Sequence, residues 1–325
     1  MSSTGKYQVY VTRSDMPHGG IELLKKQCKL ILWNQPSPVP RSEFLKSVVG
    51  ANGIFCSLTD KIDKEVLDAA GPNLKVVATI SVGYDHIDVQ ECRERGIRIG
   101  YTPDVLTDAT AELTLALLLS TSRRLPEAQH EAKTGGWVSW APTWMTGPGL
   151  AGSTVGIVGF GRIGQAVARR VKSFNTKTIL YYNRSEKPEA KEIGAVKVTF
   201  DELLMQSDFV ICCCALVPET KELFNKTAFE KMKRTAIFIN TSRGGTVDQN
   251  ALIEALQKNT IRAAGLDVTT PEPLPLDSLL FKLKNCVVLP HIGSASIEAR
   301  NTMSELTANN ILAALNGSEM PAELK

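Results

Sequence analysis

The sequence predicts an α/β protein built from two doubly wound parallel-sheet lobes with a cleft between them. Two series of short apolar strands alternate with amphipathic helices, which is the pattern of parallel sheets covered by helices. A glycine-rich turn opens the second series, as expected of a dinucleotide-binding lobe. The chain has 325 residues, a length that suits two domains.

The first series occupies the first hundred residues. Its apolar runs are YQVYVT, LILW, GIFC, KVVATI and IRIGYTP, and an amphipathic stretch such as SEFLKSVV or DKEVLDAAG separates each run from the next. Parallel strands need crossover connections, and helices usually supply them, so this alternation predicts one parallel sheet.

A long helical pattern follows, from about Val105 to about Lys133, and contains the apolar block LTLALLL. Gly135 and Gly136 end the predicted helix. The next stretch, GGWVSWAPTWMTGPGL, holds three of the four tryptophans and has no period, which indicates a long connection. Large aromatic side chains that cannot be buried within a short connection favour subunit interfaces.

The second series begins at STVGIVGFGRIGQAVARRV and continues through TILYYN, FVICCCAL, TAIFINTS, IRAAGLDV and CVVLP. A last helical pattern begins at Ser296 and ends before Gly317. We expect this helix to return to the first lobe. The predicted domains are residues 1–105 with 293–325, and residues 106–292 with the long helix and a dimerisation loop at 106–150.

The composition is that of an ordinary soluble globular protein, with 43% hydrophobic and 22% charged residues. A net charge of only +3 with interleaved signs argues against nucleic-acid binding. The sequence contains no run of about 20 apolar residues, so it does not predict a membrane span. Seven scattered cysteines and a polar N-terminus predict a reducing compartment, the cytoplasm. No Cys/His spacing predicts a metal site.

A glycine motif, G-x-G-x-x-G, lies between an apolar strand and a helical pattern in the second series. In this context the first glycine allows a tight turn, the second lets the main chain approach a pyrophosphate, and the third lets helix and strand pack closely. Free backbone N–H groups and the helix dipole then face the phosphates. The predicted cofactor contacts of this turn are Gly159, Phe160, Gly161, Arg162, Ile163 and Gly164.

The stretch YYNRSE follows the next predicted strand, where a nucleotide-binding chain of this kind usually carries an acid that binds a ribose. Here Asn183, Arg184 and Ser185 occupy that position. An acid would repel a ribose 2′-phosphate, whereas a guanidinium and a hydroxyl can bind one. The stretch therefore predicts NADPH as the cofactor.

Three later strands lead into polar groups, namely IFINTSRGG into Arg243, GLDVTTPEP into Asp267 and Glu272, and VVLPHIGSA into His291. The carboxyl ends of strands in an open α/β sheet line the ligand crevice. Arg243 can hold a carboxylate with two hydrogen bonds, and His291 can exchange a proton near neutral pH. Glu272 can fix the His291 tautomer and stabilise its imidazolium. We predict Arg243, Glu272 and His291 as the catalytic residues.

Several stretches resemble the D-isomer-specific 2-hydroxyacid dehydrogenase family, in order and over essentially the whole chain. They are SVGYDHID, GIVGFGRIGQAVARR, FINTSRGGTVDQNAL, AAGLDVTTPEPLP and VVLPHIGSAS. Within the family, GYTPDVLTDATAEL and TGGWVSW are most similar to animal glyoxylate and hydroxypyruvate reductases. The resemblance implies a flavodoxin-like substrate lobe built from both chain ends, a Rossmann cofactor lobe and a homodimer. It also implies reduction of glyoxylate to glycolate and of hydroxypyruvate to D-glycerate, by hydride transfer from NADPH with His291 as proton donor.

The resemblance also implies roles for single residues. Arg243 would bind the substrate carboxylate, which the backbone at Val82 and Gly83 would hold as well, and Ser294 would lie close to the substrate. The further cofactor contacts that it implies are Ala215, Leu216, Thr241, Asp267 and Gly293. We also expect Trp140 to reach over the substrate site of the partner subunit in the dimer.

Two other functions remain open on the same motifs. An NAD-dependent phosphoglycerate dehydrogenase of this family would carry an acidic residue at position 183, where this chain has Asn183, and a C-terminal regulatory extension. A cofactor-sensing transcriptional co-repressor of this fold keeps the three charged residues and carries extensions for its partners. Turnover of glyoxylate with NADPH would distinguish an enzyme from a sensor.

Overall fold

The computed structural model describes residues 5–325, which form two compact units. One unit comprises the chain up to Leu106 together with Ala295–Lys325, and the other comprises Thr107–Ser294. Each unit contains one sheet in which all paired strands are parallel. The predicted α/β class with two parallel sheets is confirmed.

The sheet of the first unit has the strand order β2-β1-β3-β4-β5, which is the flavodoxin-like order. Its strands are β1 (Tyr7–Val11), β2 (Cys28–Leu32), β3 (Gly53–Cys56), β4 (Val76–Thr79) and β5 (Arg98–Gly100). Its helices are α1 (His18–Lys25), α2 (Arg41–Ser47), α3 (Lys64–Ala70), α4 (Val89–Glu94) and α13 (Ile297–Leu315). Every residue of β3 and β4 is buried, as expected of central strands in a parallel sheet whose two faces are covered.

The last helix, α13, lies in the first unit and packs against α1, β3 and β4. Ser296 caps its start by accepting a hydrogen bond from the backbone N–H of Ala299. Gly317 follows its end with φ +72°, a left-handed conformation in which a side chain would be strained. The predicted helix and its end before Gly317 are confirmed.

The sheet of the second unit has the order β12-β11-β10-β9-β6-β7-β8, which is the Rossmann order with one additional edge strand, β12. Its strands are β6 (Thr154–Val158), β7 (Thr178–Tyr182), β8 (Ala195–Lys197), β9 (Phe209–Cys212), β10 (Ile237–Asn240), β11 (Ala263–Leu266) and β12 (Cys286–Val288). Its helices are α5 (Thr107–Ser122), α6 (Leu125–Thr134), α7 (Arg162–Lys172), α8 (Glu189–Ile193), α9 (Phe200–Gln206), α10 (Lys226–Lys231), α11 (Gln249–Gln257) and α12 (Leu279–Lys282). The strand order reverses at β6, between β7 and β9, and ligands of open α/β sheets bind at such a point.

Two hydrophobic cores lie on the two faces of this sheet. Ile157 and Ile211 belong to one core, and their neighbours Val158 and Val210 belong to the other. Successive residues of a strand point to opposite faces, so continuous apolar runs are needed where helices cover both faces.

The single long helix predicted from Val105 to Lys133 is wrong, because two helices occupy this stretch. α5 ends at Ser122 and α6 begins at Leu125, with Arg124 between them at φ +54°. Pro126 gives the physical reason. In a continuous helix its ring would clash with the carbonyl of Ser122, four residues earlier, whereas the first turn of a new helix accepts a proline.

The connection after α6 contains neither a helix nor a strand between residues 135 and 150, as its composition predicts. Gly135 ends α6 in the left-handed conformation. Trp137, Trp140 and Trp144 are 62%, 82% and 39% exposed.

In the part of the chain that the structure describes, no helix has the length and apolar character to cross a membrane.

Candidate active site

The predicted site residues of the second unit follow the carboxyl ends of its parallel strands. Gly159 directly follows β6, Asn183 follows β7, Thr241 follows β10 and Asp267 follows β11. His291 lies shortly after β12. Because the strands are parallel, these residues meet at one edge of the sheet, where α/β proteins bind their ligands.

His291 and Glu272 are joined by a hydrogen bond of 2.7 Å between Nδ1 and Oε2. The other carboxylate oxygen, Oε1, accepts the backbone N–H of Thr269 at 2.9 Å. Burial acts to raise the pKa of Glu272, but the hydrogen bond with His291, the nearby charges of His291 and Arg243 and the Thr269 N–H together hold it below its ordinary value. Glu272 is therefore a carboxylate at neutral pH, and it fixes a proton on His291 Nδ1.

Asp267 fastens the turn that carries His291. It is 1% exposed, its Oδ1 accepts the backbone N–H of Ile292 at 2.8 Å, and its Oδ2 accepts that of Gly293 at 2.7 Å. The N–H of His291 donates to the Asp267 carbonyl at 2.9 Å. These bonds hold His291 at φ +55°, a conformation that is uncommon outside glycine. Asp267 therefore acts through the main chain as a positioning residue, and Ser294 follows directly on this turn.

Burial raises the pKa of Asp267 above its ordinary value. The N–H groups of Ile292 and Gly293 and the charge of His291 oppose this rise, whereas the charge of Glu272 adds to it. The two acids beside His291 thus shift in opposite directions, because only Glu272 is hydrogen-bonded directly to the imidazole.

Asn240 anchors the turn that carries Arg243, and the sequence analysis did not single it out. It is the last residue of β10 and is fully buried. Its Oδ1 accepts both the N–H and the O–H of Ser242, at 3.0 and 2.8 Å, and its Nδ2 donates to the Arg243 carbonyl at 3.1 Å. The amide supplies partners that the turn's backbone would otherwise lack. The available signal was an asparagine that ends an apolar strand directly before T-S-R-G-G.

Gly244 brings the Arg243 turn against the loop that carries Glu272. A Cβ on Gly244 would stand 1.9 Å from the carbonyl oxygen of Thr269. Only glycine permits such an approach of two main chains. The Arg243 charge is consequently close enough to contribute to the lowered pKa of Glu272. Within the second unit, the structure therefore groups Arg243, Glu272 and His291.

The glycine-rich turn has the geometry of a phosphate cradle. Gly159 has φ +90°, and a Cβ there would stand 2.5 Å from the backbone nitrogen of Cys214. A Cβ on Gly164 would stand 2.2 Å from the Gly159 carbonyl oxygen, whereas none of the surrounding atoms lies within 4 Å of that position on Gly161. Gly161 caps α7, whose first N–H groups have no acceptor within the helix. The turn fits the pyrophosphate of a dinucleotide.

In the glycine-rich turn, the main chain is better placed than the side chains to contact a cofactor. Phe160 is fully buried and stacks on Tyr181 with 4.3 Å between the ring centroids, so it can meet a cofactor only through its backbone. Ile163 packs against the same core. Arg162, the first residue of α7, is exposed. The predicted contact at Phe160 is thereby restricted to its backbone.

Asn183 ties the cradle to the loop after β7. Its Oδ1 accepts the backbone N–H of Phe160 at 3.3 Å, and its Nδ2 donates to the Ser185 carbonyl at 3.0 Å. Arg184 and Ser185 are exposed beside it. Arg184 has no carboxylate partner in residues 5–325. A cation is thus presented next to the glycine-rich turn.

Other predicted cofactor contacts line the same strand edge. The Thr241 hydroxyl donates to Thr114 Oγ1 at 2.8 Å, because Thr114 gives its own proton to a carbonyl one helical turn earlier, at 2.7 Å. Ala215 is exposed, and Leu216 lies beside Gly245, where a Cβ would stand 3.0 Å from a Leu216 methyl group. The loop after β9 therefore runs next to the Arg243 turn.

Val82 and Gly83 lie in the first unit, in the turn after β4, and both are half-buried. Ser81 Oγ donates to the Gly83 carbonyl at 2.6 Å, so the Thr79 hydroxyl at 2.8 Å must donate to Ser81. His86 Nε2, 3.0 Å from Thr79 Oγ1, then carries a proton and donates it to that oxygen. A chain of three hydrogen bonds thus orients the Gly83 peptide.

Comparison with known proteins identifies the family. Residues 115–293 match the family model of the D-isomer specific 2-hydroxyacid dehydrogenase, NAD binding domain. The human glyoxylate reductase/hydroxypyruvate reductase is 55% identical to this chain over 320 residues, which are 98% of each chain. The chain belongs to the D-isomer specific 2-hydroxyacid dehydrogenases. The family predicted from the sequence motifs is confirmed.

Two more distant relatives support the same assignment. The glyoxylate reductase of Thermococcus kodakarensis is 47% identical over 319 residues, which are 97% of this chain and 95% of that protein. A crystal structure of the NADPH-dependent glyoxylate/hydroxypyruvate reductase from Sinorhizobium meliloti, in complex with NADP and malonate, has a TM-score of 0.84 and 31% identity. That match covers 98% of this chain and 97% of the other.

Proposed function

We propose that this dehydrogenase reduces glyoxylate to glycolate and hydroxypyruvate to D-glycerate with NADPH. The observation that carries the proposal is the 2.7 Å hydrogen bond between His291 and Glu272, at the strand edge that also holds the glycine-rich turn. The name of the human relative, glyoxylate reductase/hydroxypyruvate reductase, supports the choice of substrates.

His291 is the proposed proton donor. Because Nδ1 is bonded to Glu272, Nε2 is the ring nitrogen left to meet the substrate. As an imidazolium, His291 carries a proton on Nε2 that it can give to the substrate oxygen, and the Glu272 carboxylate stabilises that charged form. The Asp267 bonds to the following peptide groups keep the ring in place during the transfer.

Arg243 is the proposed substrate clamp. Its planar guanidinium can form two hydrogen bonds with the substrate carboxylate, or one with the carboxylate and one with the carbonyl oxygen. In the transition state this charge stabilises the oxygen as it becomes negative. Asn240 and Gly244 hold the Arg243 main chain, and the guanidinium itself donates from Nη1 to the Ser242 carbonyl at 2.9 Å.

The proposed reaction joins these roles. A nicotinamide cofactor held at the glycine-rich turn would supply a hydride for the carbonyl carbon of the 2-keto acid. Arg243 stabilises the resulting alkoxide, and His291 converts it to a hydroxyl by giving up its Nε2 proton. Val82 and Gly83 would bind substrate through their peptide groups, and Ser294 would add a hydroxyl. The second unit would hold the cofactor.

The choice of NADPH rests on Asn183, Arg184 and Ser185. Asn183 carries no charge that would repel a 2′-phosphate. The exposed Arg184 has no carboxylate partner in the described part of the chain, so its guanidinium can bind that phosphate, and Ser185 adds a hydroxyl. The NADP complex of the Sinorhizobium meliloti relative is consistent with this cofactor.

The proposed assembly is a homodimer in the cytoplasm. Trp140, 82% exposed in this chain, is the side chain that we expect to reach the substrate site of the partner subunit. All seven cysteines are unpaired, which suits a reducing compartment. Replacement of Trp140 by alanine should then alter the preference between hydroxypyruvate and bulkier 2-keto acids, and an unaltered substrate profile in a dimeric variant would exclude this role.

Steady-state kinetics test the proposal directly. The purified chain should oxidise NADPH with glyoxylate or hydroxypyruvate and should show a lower kcat/KM with NADH. Phenylpyruvate serves as the bulky control and 3-phosphohydroxypyruvate as the phosphorylated one. If either control substrate has the higher kcat/KM, the substrate assignment is wrong, and equal kcat/KM values for both cofactors would remove the role of Arg184.

A further inference from the structure

The second unit contains an open cavity of about 540 Å³ that takes no part in the proposed reaction. It is lined by the end of α5, the start of α6, residues 146–148, and the segments that lead into β10, β11 and β12. The catalytic residues follow the carboxyl ends of the strands, whereas this cavity lies at their amino ends. Its volume falls within the range of roughly 300–1,000 Å³ that is usual for small-molecule sites.

Four cations line the cavity, namely Arg124, Arg234, Arg262 and Lys284, together with a single carboxylate, Glu127. Arg124 donates to both oxygens of Glu127, at 2.8 and 2.7 Å, so these two charges balance each other. Within residues 5–325, Arg234, Arg262 and Lys284 have no carboxylate at ion-pair distance. Three positive charges therefore remain unbalanced around one opening.

The sheet topology explains why these cations converge. Arg234 precedes β10, Arg262 directly precedes β11, and Lys284 precedes β12. The three strands are neighbours and parallel, so their amino ends lie side by side at one edge of the sheet. Three cations that lie just before neighbouring strands thus reach the same opening, although the sequence separates the first from the last by about fifty residues.

Neutral polar groups complete the lining. Asn259 and Thr235 add an amide and a hydroxyl, whereas the Asn285 amide nitrogen already donates to the carbonyls of Leu256 and Arg262, each at 3.2 Å. The side chains of Arg234, Arg262 and Lys284 therefore supply most of the donors of this wall, which suits a ligand that carries mainly acceptors.

We infer that this cavity binds a compact anion with two or more phosphate groups. Two guanidinium groups can each form paired hydrogen bonds with phosphate oxygens, and Lys284 adds a point charge. The three unbalanced cations match the three to four negative charges of such an anion. The site is separate from the glycine-rich turn, which lies at the opposite edge of the same sheet.

Calorimetric titration with inorganic pyrophosphate tests the inference. The full chain is first saturated with a nicotinamide cofactor, NADPH or NADH, so that pyrophosphate cannot occupy the glycine-rich turn. Ionic strength is held constant with sodium chloride. We expect one site, and we expect the double variant Arg234→Gln, Arg262→Gln to weaken pyrophosphate binding at least about ten-fold, because each lost bond to a charged group contributes that much or more.

The matched control is the double variant Lys177→Gln, Lys197→Gln. These two lysines are exposed in the same unit and lack carboxylate partners among the described residues. Lys177 directly precedes β7 and Lys197 is the last residue of β8, at the far side of the sheet from β12. Both double variants remove the same formal charge. The control should keep the affinity for pyrophosphate within about two-fold, since remote exposed charges are screened by salt.

Three results would overturn the inference. An equal loss of affinity in both double variants would mean general attraction to a basic protein. Binding that disappears when cofactor is present would place the pyrophosphate in the glycine-rich turn. A change of association state in the Arg234, Arg262 variant, measured by sedimentation velocity and without pyrophosphate binding in the native chain, would assign the cavity to a subunit interface. Catalytic constants for glyoxylate are measured in parallel, so failure of this inference remains distinct from failure of the proposed reaction.

Discussion

The glycine-rich turn and the His291 cluster lie at the same edge of one sheet, yet they are built by opposite means. The turn depends on missing side chains, because a Cβ on Gly159 or Gly164 would stand 2.5 or 2.2 Å from main-chain atoms. The cluster depends on charged side chains that buried polar residues hold, namely Asp267 and Asn240, which are 1% and 0% exposed. One site is therefore a steric arrangement of the backbone, and the other is an electrostatic arrangement of side chains.

This difference teaches that the two sites should fail separately. A substitution in the turn should weaken cofactor binding and leave the acid and the clamp in place. A substitution in the cluster should slow the chemical step and leave cofactor binding intact. Measurements of cofactor affinity and of turnover on the same variants can therefore break or sharpen the comparison.

The largest effect is expected for His291→Ala. Loss of a positioned proton donor lowers turnover by about 10²–10⁴-fold, whereas the dissociation constant for NADPH should stay within about two-fold of the native value, because the cradle is untouched. Stopped-flow single turnover and fluorescence titration measure the two quantities. His130→Ala is the control, since His130 is exposed on α6. Turnover close to native in His291→Ala would remove the assignment of the proton donor.

The contrast between the two sites also explains what the sequence could predict. The glycine spacing, the strand positions and the last helix depend on contacts between near neighbours, so local patterns were sufficient. The break at Arg124 was missed because residues that favour helices continue on both sides of it, although Pro126 cannot follow Ser122 by four residues within one helix. Propensity alone does not reveal a left-handed residue inside a helical pattern.

The supports of the cluster could not be found in this way. The pairing of Glu272 with His291, 19 residues apart, was predicted because both follow strand ends. Asp267, by contrast, bonds to peptide groups 25 and 26 residues later, and no sequence pattern marks such side-chain-to-backbone bonds. Asn240 was missed for a similar reason, because its role lies in the hydrogen bonds of a turn and not in any charge.

Two matched glycine substitutions should each affect only one of the two sites, and their effects should be smaller than that of His291→Ala. Overpacking costs roughly 1–3 kcal/mol, so Gly159→Ala should weaken NADPH binding by about 5- to 150-fold with less effect on single-turnover rates at saturation. Gly244→Ala should displace the Arg243 turn and lower kcat/KM by a comparable factor, with NADPH affinity retained. Gly149→Ala is the control, because a Cβ there would meet no atom within 4 Å. If both variants lose the same function, the two sites are not independent.

Cofactor choice should change without loss of the chemical step. Replacing Asn183 with Asp and Arg184 with Ala adds a repulsive charge and removes an attractive one, so the preference for NADPH should fall by roughly ten- to a hundred-fold. The change should appear in the KM for NADPH, with kcat altered less, and the salt dependence of NADPH binding should weaken. Lys191→Ala, at an exposed position on α8, controls for general charge. An unchanged ratio of kcat/KM values would mean that this loop does not read the 2′-phosphate.

The smallest effects are expected in the pH dependence of stability, where the two acids beside His291 should behave oppositely. The folded pKa of Glu272 is lowered, so below the ordinary glutamate pKa of about 4.3 the unfolded chain binds more protons at this group. The stability that Glu272 contributes is therefore complete above that pH and is lost as the pH falls through the lowered folded pKa. The folded pKa of Asp267 is raised, so the folded chain binds more protons there, and the contribution of Asp267 declines as the pH rises above the ordinary aspartate pKa of about 3.9.

Urea unfolding of the native chain, Glu272→Gln and Asp267→Asn between about pH 3 and 6 would measure this contrast. The difference in unfolding free energy between the native chain and Glu272→Gln should increase with pH, and the difference for Asp267→Asn should decrease. The Glu272 effect should be modest, because its side chain is 31% exposed and solvent screens its charge. Slopes of the same sign would mean that Asp267 is held as a carboxylate by the Ile292 and Gly293 N–H groups more strongly than burial opposes it. In that case Asp267 would hold the His291 turn through its negative charge, and the turn would depend on electrostatics as much as the cluster of Arg243, Glu272 and His291 does.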